Sequence, residues 1–229
     1  IAPKGAIGNA RLAVVGPDGS IGVVDLPGVP AGFAPPKNEQ ETGRQASPGV
    51  AVDPAGTRAA VVTPDTLLVV DLDRLEVTRT HRLPTRAPAR ARKLIEGWGR
   101  GALWVSGDTL AVSGRRYSVE GRRVVQATIG VELVDVRTGE SEPLDPTATQ
   151  VTRVGDSLLA FGGSALRGYE LDGTVRFELL AGRDTGYVQT AGRFAYVGSE
   201  NSTRFTIVDV RAGRVLGTTR TPDPTIVIG

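Results

Sequence analysis

Residues 134–141 read VDVRTGES, and residues 208–215 read VDVRAGRV, so the chain writes V-D-V-R-x-G twice, 74 positions apart. In both copies an apolar run precedes the acid, and a short run suited to a strand follows the glycine. An Asp that closes a strand can accept a bond from a backbone N–H two residues on, and Gly supplies the φ > 0 position that a tight reversal needs. The motif therefore predicts a β-turn between two antiparallel strands.

Working outward, the pattern of strand, turn, strand ending in an acid, Gly and strand recurs along the chain. It appears at 58–82 (RAAVVTPDTLLVVDLDRLEVTRTHR), 156–180 (DSLLAFGGSALRGYELDGTVRFELL) and 193–219, and partially at 11–26 (RLAVVGPDGSIGVVDL). A further strand candidate precedes most copies: PGVAVDP at 48–54, GALWVSG at 101–107, TQVTRVG at 149–155 and GYVQTAG at 186–192. The acids closing the third strand are Asp25, Asp71, Asp135, Glu170 and Asp209, spaced by 46, 64, 35 and 39 residues. Four short strands per copy at such a period predict the blades of a β-propeller. LLVVDL at 67–72 and FTIVDV at 205–210 are apolar nearly throughout, as expected of strands buried on both faces. VTRTHRL at 77–83 and GRVLGTTR at 213–220 are wetter and suit outer edges.

The expected fold is thus all-β, a single propeller domain over 1–229 with five four-stranded blades. The blades cover 9–30 plus 225–229, 48–83, 101–145, 148–181 and 186–220. The first copy lacks an initial strand and the chain ends on TIVIG at 225–229, so pairing that segment with the N-terminal copy would close the ring. A fragment of a larger ring is the other arrangement the count allows. Three segments stand outside the repeat: a Pro- and Gly-rich loop at 27–48 with room for an extended outer strand, a basic connection at 84–100, and a hairpin, GRRYSVEGRR, over 114–123.

The motif "apolar strand, V-D, x-x-T/A-G, strand" is similar to blades of the YVTN and quinoprotein-like propellers, broad families of bacterial, mostly exported proteins. GYELDGTVRFEL at 168–179 looks like a quinoprotein-type blade, and FAYVGSEN at 194–201 approximates the YVTN signature. The Gly-His and Trp-Asp marks of WD repeats are missing. The resemblance implies a fold and an extracytoplasmic setting; it carries over no cofactor site. The chain contains no Met, so Ile1 follows either a processing event, such as removal of a signal peptide, or the boundary of a longer chain. On this reading the protein is secreted, periplasmic or at the cell surface.

Composition narrows the chemistry. With 30 Gly, 15 Pro and 40% hydrophobic residues the chain can bury a sizeable core, and no apolar run approaches the roughly 20 residues of a membrane-spanning helix. The absence of Cys excludes thiolate metal sites, disulfides and a Cys nucleophile. His81 is the sole histidine, so a histidine-based zinc site within one chain is excluded, and its place on an outer strand marks it as a surface residue. FGGSALRG at 161–168 lacks the Gly-Lys-Ser/Thr of a phosphate loop. No metal, cofactor or catalytic residue is therefore assigned, and turn duty is the simpler account of Asp71, Asp135, Glu170 and Asp209.

Charge is distributed unevenly. Residues 79–123 hold 11 Arg/Lys against 3 Asp/Glu, in a chain whose net charge is +2. Arg86, Arg90, Arg92 and Lys93 lie on the 84–100 connection, and Arg115, Arg116, Arg122 and Arg123 on the hairpin. Projecting together, these eight would meet a protein or an anionic polymer or surface. Scarce aromatics in this stretch (Trp98, Trp104, Tyr117) argue against nucleic acid. The reading is a non-catalytic binding or scaffold module. The alternative is a carboxylate-based hydrolase or lyase acting on a glycan or lactone at the ring's central channel, drawing on acids such as Asp108, Glu132 and Asp156.

Overall fold

The computed structural model describes residues 8–34, 44–84, 97–120, 123–183, 185–199 and 203–220, and among them there is no helix. The N-terminal hairpin joins β1 (Gly8–Val15) to β2 (Ile21–Ala34), and β3 (Arg44–Ser47) follows. Sheet I contains β4 (Gly49–Val52), β5 (Arg58–Val62), β6 (Thr66–Asp71) and β7 (Glu76–Arg82). Sheet II contains β8 (Gly97–Ser106), β9 (Thr109–Glu120), β11 (Val131–Asp135) and β12 (Ser141–Asp145), with β10 (Arg123–Thr128) paired to the far half of β9. Sheet III contains β13 (Gln150–Val154), β14 (Ser157–Phe161), β15 (Leu166–Glu170) and β16 (Val175–Leu179). Sheet IV contains β17 (Tyr187–Ala191), β18 (Phe194–Gly198), β19 (Arg204–Asp209) and β20 (Arg214–Arg220). Within each sheet the strands follow one another as an antiparallel meander.

These layers stack face to face in chain order, and each junction holds one apolar core. Ala10, Val24 and Leu26 of the hairpin pack on Ala59, Val61, Leu68 and Val70 of sheet I. The opposite face of sheet I, Ala60, Val62, Leu67 and Val69, packs on Trp104, Leu110, Val112 and Val134 of sheet II. Val105, Ala111 and Val131 of sheet II meet Leu158, Ala160 and Tyr169 of sheet III. Leu159, Phe161 and Leu166 of sheet III meet Ala195, Val197 and Val208 of sheet IV. Alternate residues of β5 and β6 therefore enter different cores, which is why LLVVD carries no polar face.

The two ends of the stack differ from its middle. On the hairpin face turned away from sheet I, Val15, Ile21 and Val23 are 68%, 69% and 53% exposed. Their cross-strand partners put them on one side: Val15 faces Ile21, and Ala13 faces Val23. Strand β1 also ends its sheet order, so its second edge pairs with no strand among the described residues. The segment 225–229 lies outside the described residues.

Two departures from the sequence reading concern the non-repeating part. First, 27–34 is not loop: β2 continues through it, with Pro30 opposite Asn9 and Ala31 opposite Gly8. The register breaks between Asn9 and Ala10, so Pro27, Gly28 and Val29 bulge out of the ladder, where a missing proline N–H costs nothing. Asp25 accordingly sits within a continuous strand, paired to Arg11 at 2.8 Å, and closes no turn. Second, β3 pairs antiparallel with β2 and parallel with β8, Ala46 opposite Trp98. This fuses the hairpin and sheet II into one eight-stranded sheet. The described residues thus hold three separate four-stranded sheets and one compound sheet of eight strands.

Candidate functional site

Three of the five repeated acids, Asp71, Asp135 and Asp209, hold turns through their side chains. Asp135 Oδ1 accepts the N–H groups of Arg137 at 2.7 Å and Thr138 at 2.8 Å, and Gly139 follows at φ 79°. Asp71 Oδ1 takes those of Asp73 and Arg74, and Asp209 Oδ1 that of Ala212. In sheet III the work is divided differently. The Glu170 carboxylate pairs with Arg176 at 3.1 Å, while Asp172 accepts the N–H of Thr174 at 2.9 Å. A Glu side chain is one methylene too long for this local bond, and the D-G step at 172–173 is the sequence signal that points to Asp172.

The glycine that follows has a second task, because the preceding layer packs on it. A Cβ on Gly139 would lie 2.7 Å from the His81 ring of β7, and one on Gly213 would lie 2.9 Å from Phe177 of β16. In sheet I the equivalent place, four residues after Asp71, is held by Leu75 at φ 56°. Its methyls fill the space beside Gly22 of the hairpin. His81 is thus half-buried, its Nε2 3.0 Å from the Val136 carbonyl, and not a free surface residue. The outer strand of one sheet reaches the turn of the next, a contact that one strand's pattern does not reveal.

Polar side chains latch successive sheets. Arg58 of sheet I donates to Asp53 at 3.1 Å, to Asp108 at 2.7 Å and to the Gly107 carbonyl at 3.1 Å. Its guanidinium also lies 5.0 Å from the centre of the Trp104 ring, whose Nε1 donates to the same carbonyl. Asp145, buried at the end of sheet II, receives Arg167 and the Tyr169 hydroxyl of sheet III. Burial pushes the Asp145 carboxyl up, yet bonds from Thr147 and Arg167 outweigh it and hold the group below the usual value. Arg176 of sheet III donates to Ser157 and to the Arg211 carbonyl of sheet IV.

The acids weighed for catalysis are dispersed among these tasks. Asp108 belongs to the Arg58 latch, Asp156 is fully exposed beside Arg153, and Glu132 is buried on β11. Asp108 lies in the β8–β9 turn, whereas Glu132 pairs with Val112, farther along β9. Among the described residues no group of three His, Asp or Glu could hold a metal ion.

What remains outside the repeat is an arm. The ends of β2 and β3, the start of β8, the far half of β9 and β10 form a continuous extension of the compound sheet. Arg115 and Arg116 sit on it opposite Thr128 and Ala127, and Arg123 opens β10 opposite Glu120. As neighbours on one strand, Arg115 and Arg116 project to opposite faces, so the hairpin does not present its arginines on a single side. Arg86, Arg90, Arg92, Lys93 and Arg122 lie outside the described residues.

At the root of the arm sits a group that sequence reading missed. Arg100 pairs with Gly114, next to the Ala102–Val112–Glu132 row, so its side chain shares a face with Glu132 and with Arg116. It is only 8% exposed, and Glu132 only 3%. Gly114 makes the room: a Cβ there would lie 2.7 Å from Arg100 Cδ. Burial pushes the Arg100 guanidinium down to about 10, with Glu132 opposing that fall and Arg116 adding to it. Among the described residues neither Nε nor Nη1 of Arg100, nor Nε of Arg116, finds a hydrogen-bond partner.

No protein-family model matches the chain, and no curated protein matches it. Solved structures do. The extracellular domain of a putative one component system from B. thetaiotaomicron aligns over 78% of this chain at 10% identity and a TM-score of 0.50, this chain spanning 23% of that one. The Cps50 (Swd1) β-propeller domain of Myceliophteria thermophila aligns over 92% of this chain and 82% of its own, at 13% identity and a TM-score of 0.38. The WD40 domain of SCAP from fission yeast aligns over 95% of this chain and 56% of its own, at 14% identity and a TM-score of 0.42. At such identities the likeness concerns the fold alone: an all-β chain of antiparallel sheets.

Proposed function

We propose that the chain is a non-catalytic propeller module that binds a protein or an anionic polymer or surface through its non-repeating arm. The observation that carries this reading is the arm itself. It departs from the four-stranded pattern and carries Arg115, Arg116 and Arg123 along β9 and β10. Poly-L-glutamate is a suitable probe. The protein is expected to bind it with an affinity that falls as salt rises, and the R115Q/R116Q/R122Q/R123Q variant is expected to lose most of that binding. Unchanged binding in the variant defeats the reading.

The same proposal includes a ring of five blades, the first completed by residues 225–229 on the free edge of β1, and the extracytoplasmic setting that YVTN and quinoprotein-like blades imply. Strand β20 ends at Arg220, and the nine residues that follow can extend about 30 Å. Because the chain has no cysteine, Ala13→Cys combined in turn with Cys at 226, 227 or 228 tests the pairing without background thiols. An intrachain disulfide in one of the three supports closure, and its absence in all three refutes it.

A further inference from the structure

Two strands lie in line along one edge of β9, β11 against its first half and β10 against its far half, while β8 takes the other edge. Strand β12 covers the outer edge of β11 and ends at Asp145. Beyond that point the edge belongs to β10, six residues long, which among the described residues pairs with β9 alone. The Ile129 N–H donates to the Gly114 carbonyl at 2.8 Å, and this bond fixes the phase of the ladder. By the alternation of antiparallel pairing, Val125 and Ala127 turn their main-chain groups toward β9, whereas Val124, Gln126 and Thr128 turn theirs away from it. The edge is anchored at its root: Thr128 Oγ1 donates to the Ala148 carbonyl at 2.8 Å and accepts the Gly130 N–H at 2.9 Å. Exposed edges are ordinarily blunted by charge or proline, as Glu142 and Pro143 do on β12. VVQAT at 124–128 carries neither.

We propose, resting on the reading of the arm as the binding surface, that an extended acidic segment of a partner protein adds to this edge as a further strand. The charge of the arm favours acids: Arg44, Arg100, Arg115, Arg116 and Arg123 stand on it against Glu120 and, at its root, Glu132. Arg116 is placed opposite Ala127 and Arg115 opposite Thr128, so each lies one strand inward from the edge behind a short residue, one on each face. An added strand runs about 10 Å from β9, two strand spacings away, a gap that an arginine and a glutamate span between them. Arginines on opposite faces do not meet one flat surface together. They do flank a strand on the edge, whose successive residues alternate between the same two faces. Main-chain bonds to Val124 and Gln126 then supply affinity, and adjacent acids supply specificity.

Fluorescence anisotropy of a labelled, C-terminally amidated peptide, Thr-Glu-Glu-Thr-Glu-Glu-Thr-Glu, provides the test. The same peptide with every internal amide N-methylated keeps the charge and loses the donors. Saturable binding of the first is expected, weakened roughly tenfold or more by N-methylation. Gln126→Pro removes one outward N–H and leaves the ladder to β9 whole, because a strand tolerates proline where its N–H faces away from the sheet. It should weaken the peptide by a similar factor with an unchanged circular dichroism spectrum, and where it fails to fold Val124→Pro takes its place. R116Q should weaken binding and flatten its dependence on salt. Equal affinity for the two peptides, or affinity unchanged in the proline variant, overturns the added strand and leaves the arm as a surface read by charge alone. Affinity unchanged in R116Q overturns the acidic partner. Failure of the parent to bind either peptide overturns the added strand too, and poly-L-glutamate in the same buffer then shows whether the reading of the arm falls with it. A parent that dimerises in sedimentation velocity and ignores the peptide, while Gln126→Pro stays monomeric, overturns the proposal in favour of a second copy on the edge.

Discussion

Arg58 holds Asp108 across the junction of sheets I and II at 2.7 Å, while its Nε stays on Asp53, so one guanidinium joins two sheets through two carboxylates. The two ends of this bridge differ in worth. The Asp108 side chain is 46% exposed and Asp53 only 4%. A double-mutant cycle with Arg58→Met and Asp108→Asn should give a coupling of about 0.5 kcal/mol, as solvent-screened pairs do. Asp53→Ala should cost more, about 1–2 kcal/mol, because it orphans the N–H groups of Thr57 and Arg58. Urea denaturation monitored by tryptophan fluorescence measures both.

Gly139→Ala should destabilise by about 1–3 kcal/mol, combining a φ of 79° with a clash against the His81 ring. His81→Ala removes only the clash. The double variant should therefore lose less stability than the two single losses added together, and strict additivity would show that the two residues do not share the space.

Asp145 should shape the acid limb of stability. Its folded carboxyl titrates below the unfolded value of about 3.9, so its contribution is fully present above that pH and fades as pH falls through the lower folded value. Asp145→Asn is expected to narrow the stability gap to the parent progressively below about pH 4. A gap that stays constant down to pH 2 would contradict this assignment.

Arg100 should be a net burden. Its folded proton leaves near 10, far below the unfolded value, so the penalty for burying the charge is complete at neutral pH and is relieved only as pH rises through 10. Arg100→Met, which removes the cation and its unmade hydrogen bonds, should leave the melting temperature equal or higher, whereas Glu132→Gln, which removes an acid that favours the Arg100 cation, should lower it. Thermal melts at pH 7 decide between these signs.

The parts of this architecture legible in the sequence are those set by local or repeated physics. The Asp and Gly of VDVRTG act within five residues of each other, and LLVVD lacks a polar face because both its faces are buried. Other parts depend on contacts between layers. Pro27 and Gly28 read as loop because composition does not distinguish a bulge within a long strand from a connection. His81 reads as exposed because its partner lies in another sheet, and Arg100 passes unremarked among the basic residues of 79–123 because only the pairing with Gly114 buries it.

Because each core joins only consecutive layers, coupling through the cores runs from neighbour to neighbour, while β3 also ties the hairpin directly to sheet II. Nearest-neighbour coupling of this kind makes the terminal layers fray first and the middle ones open only with the whole. Native-state hydrogen exchange should therefore record slow amides in β5, β6, β9 and β14 and fast ones in β1. Anything that caps the exposed Val15–Ile21–Val23 face would be read out far from that face, as added protection in strands it never touches.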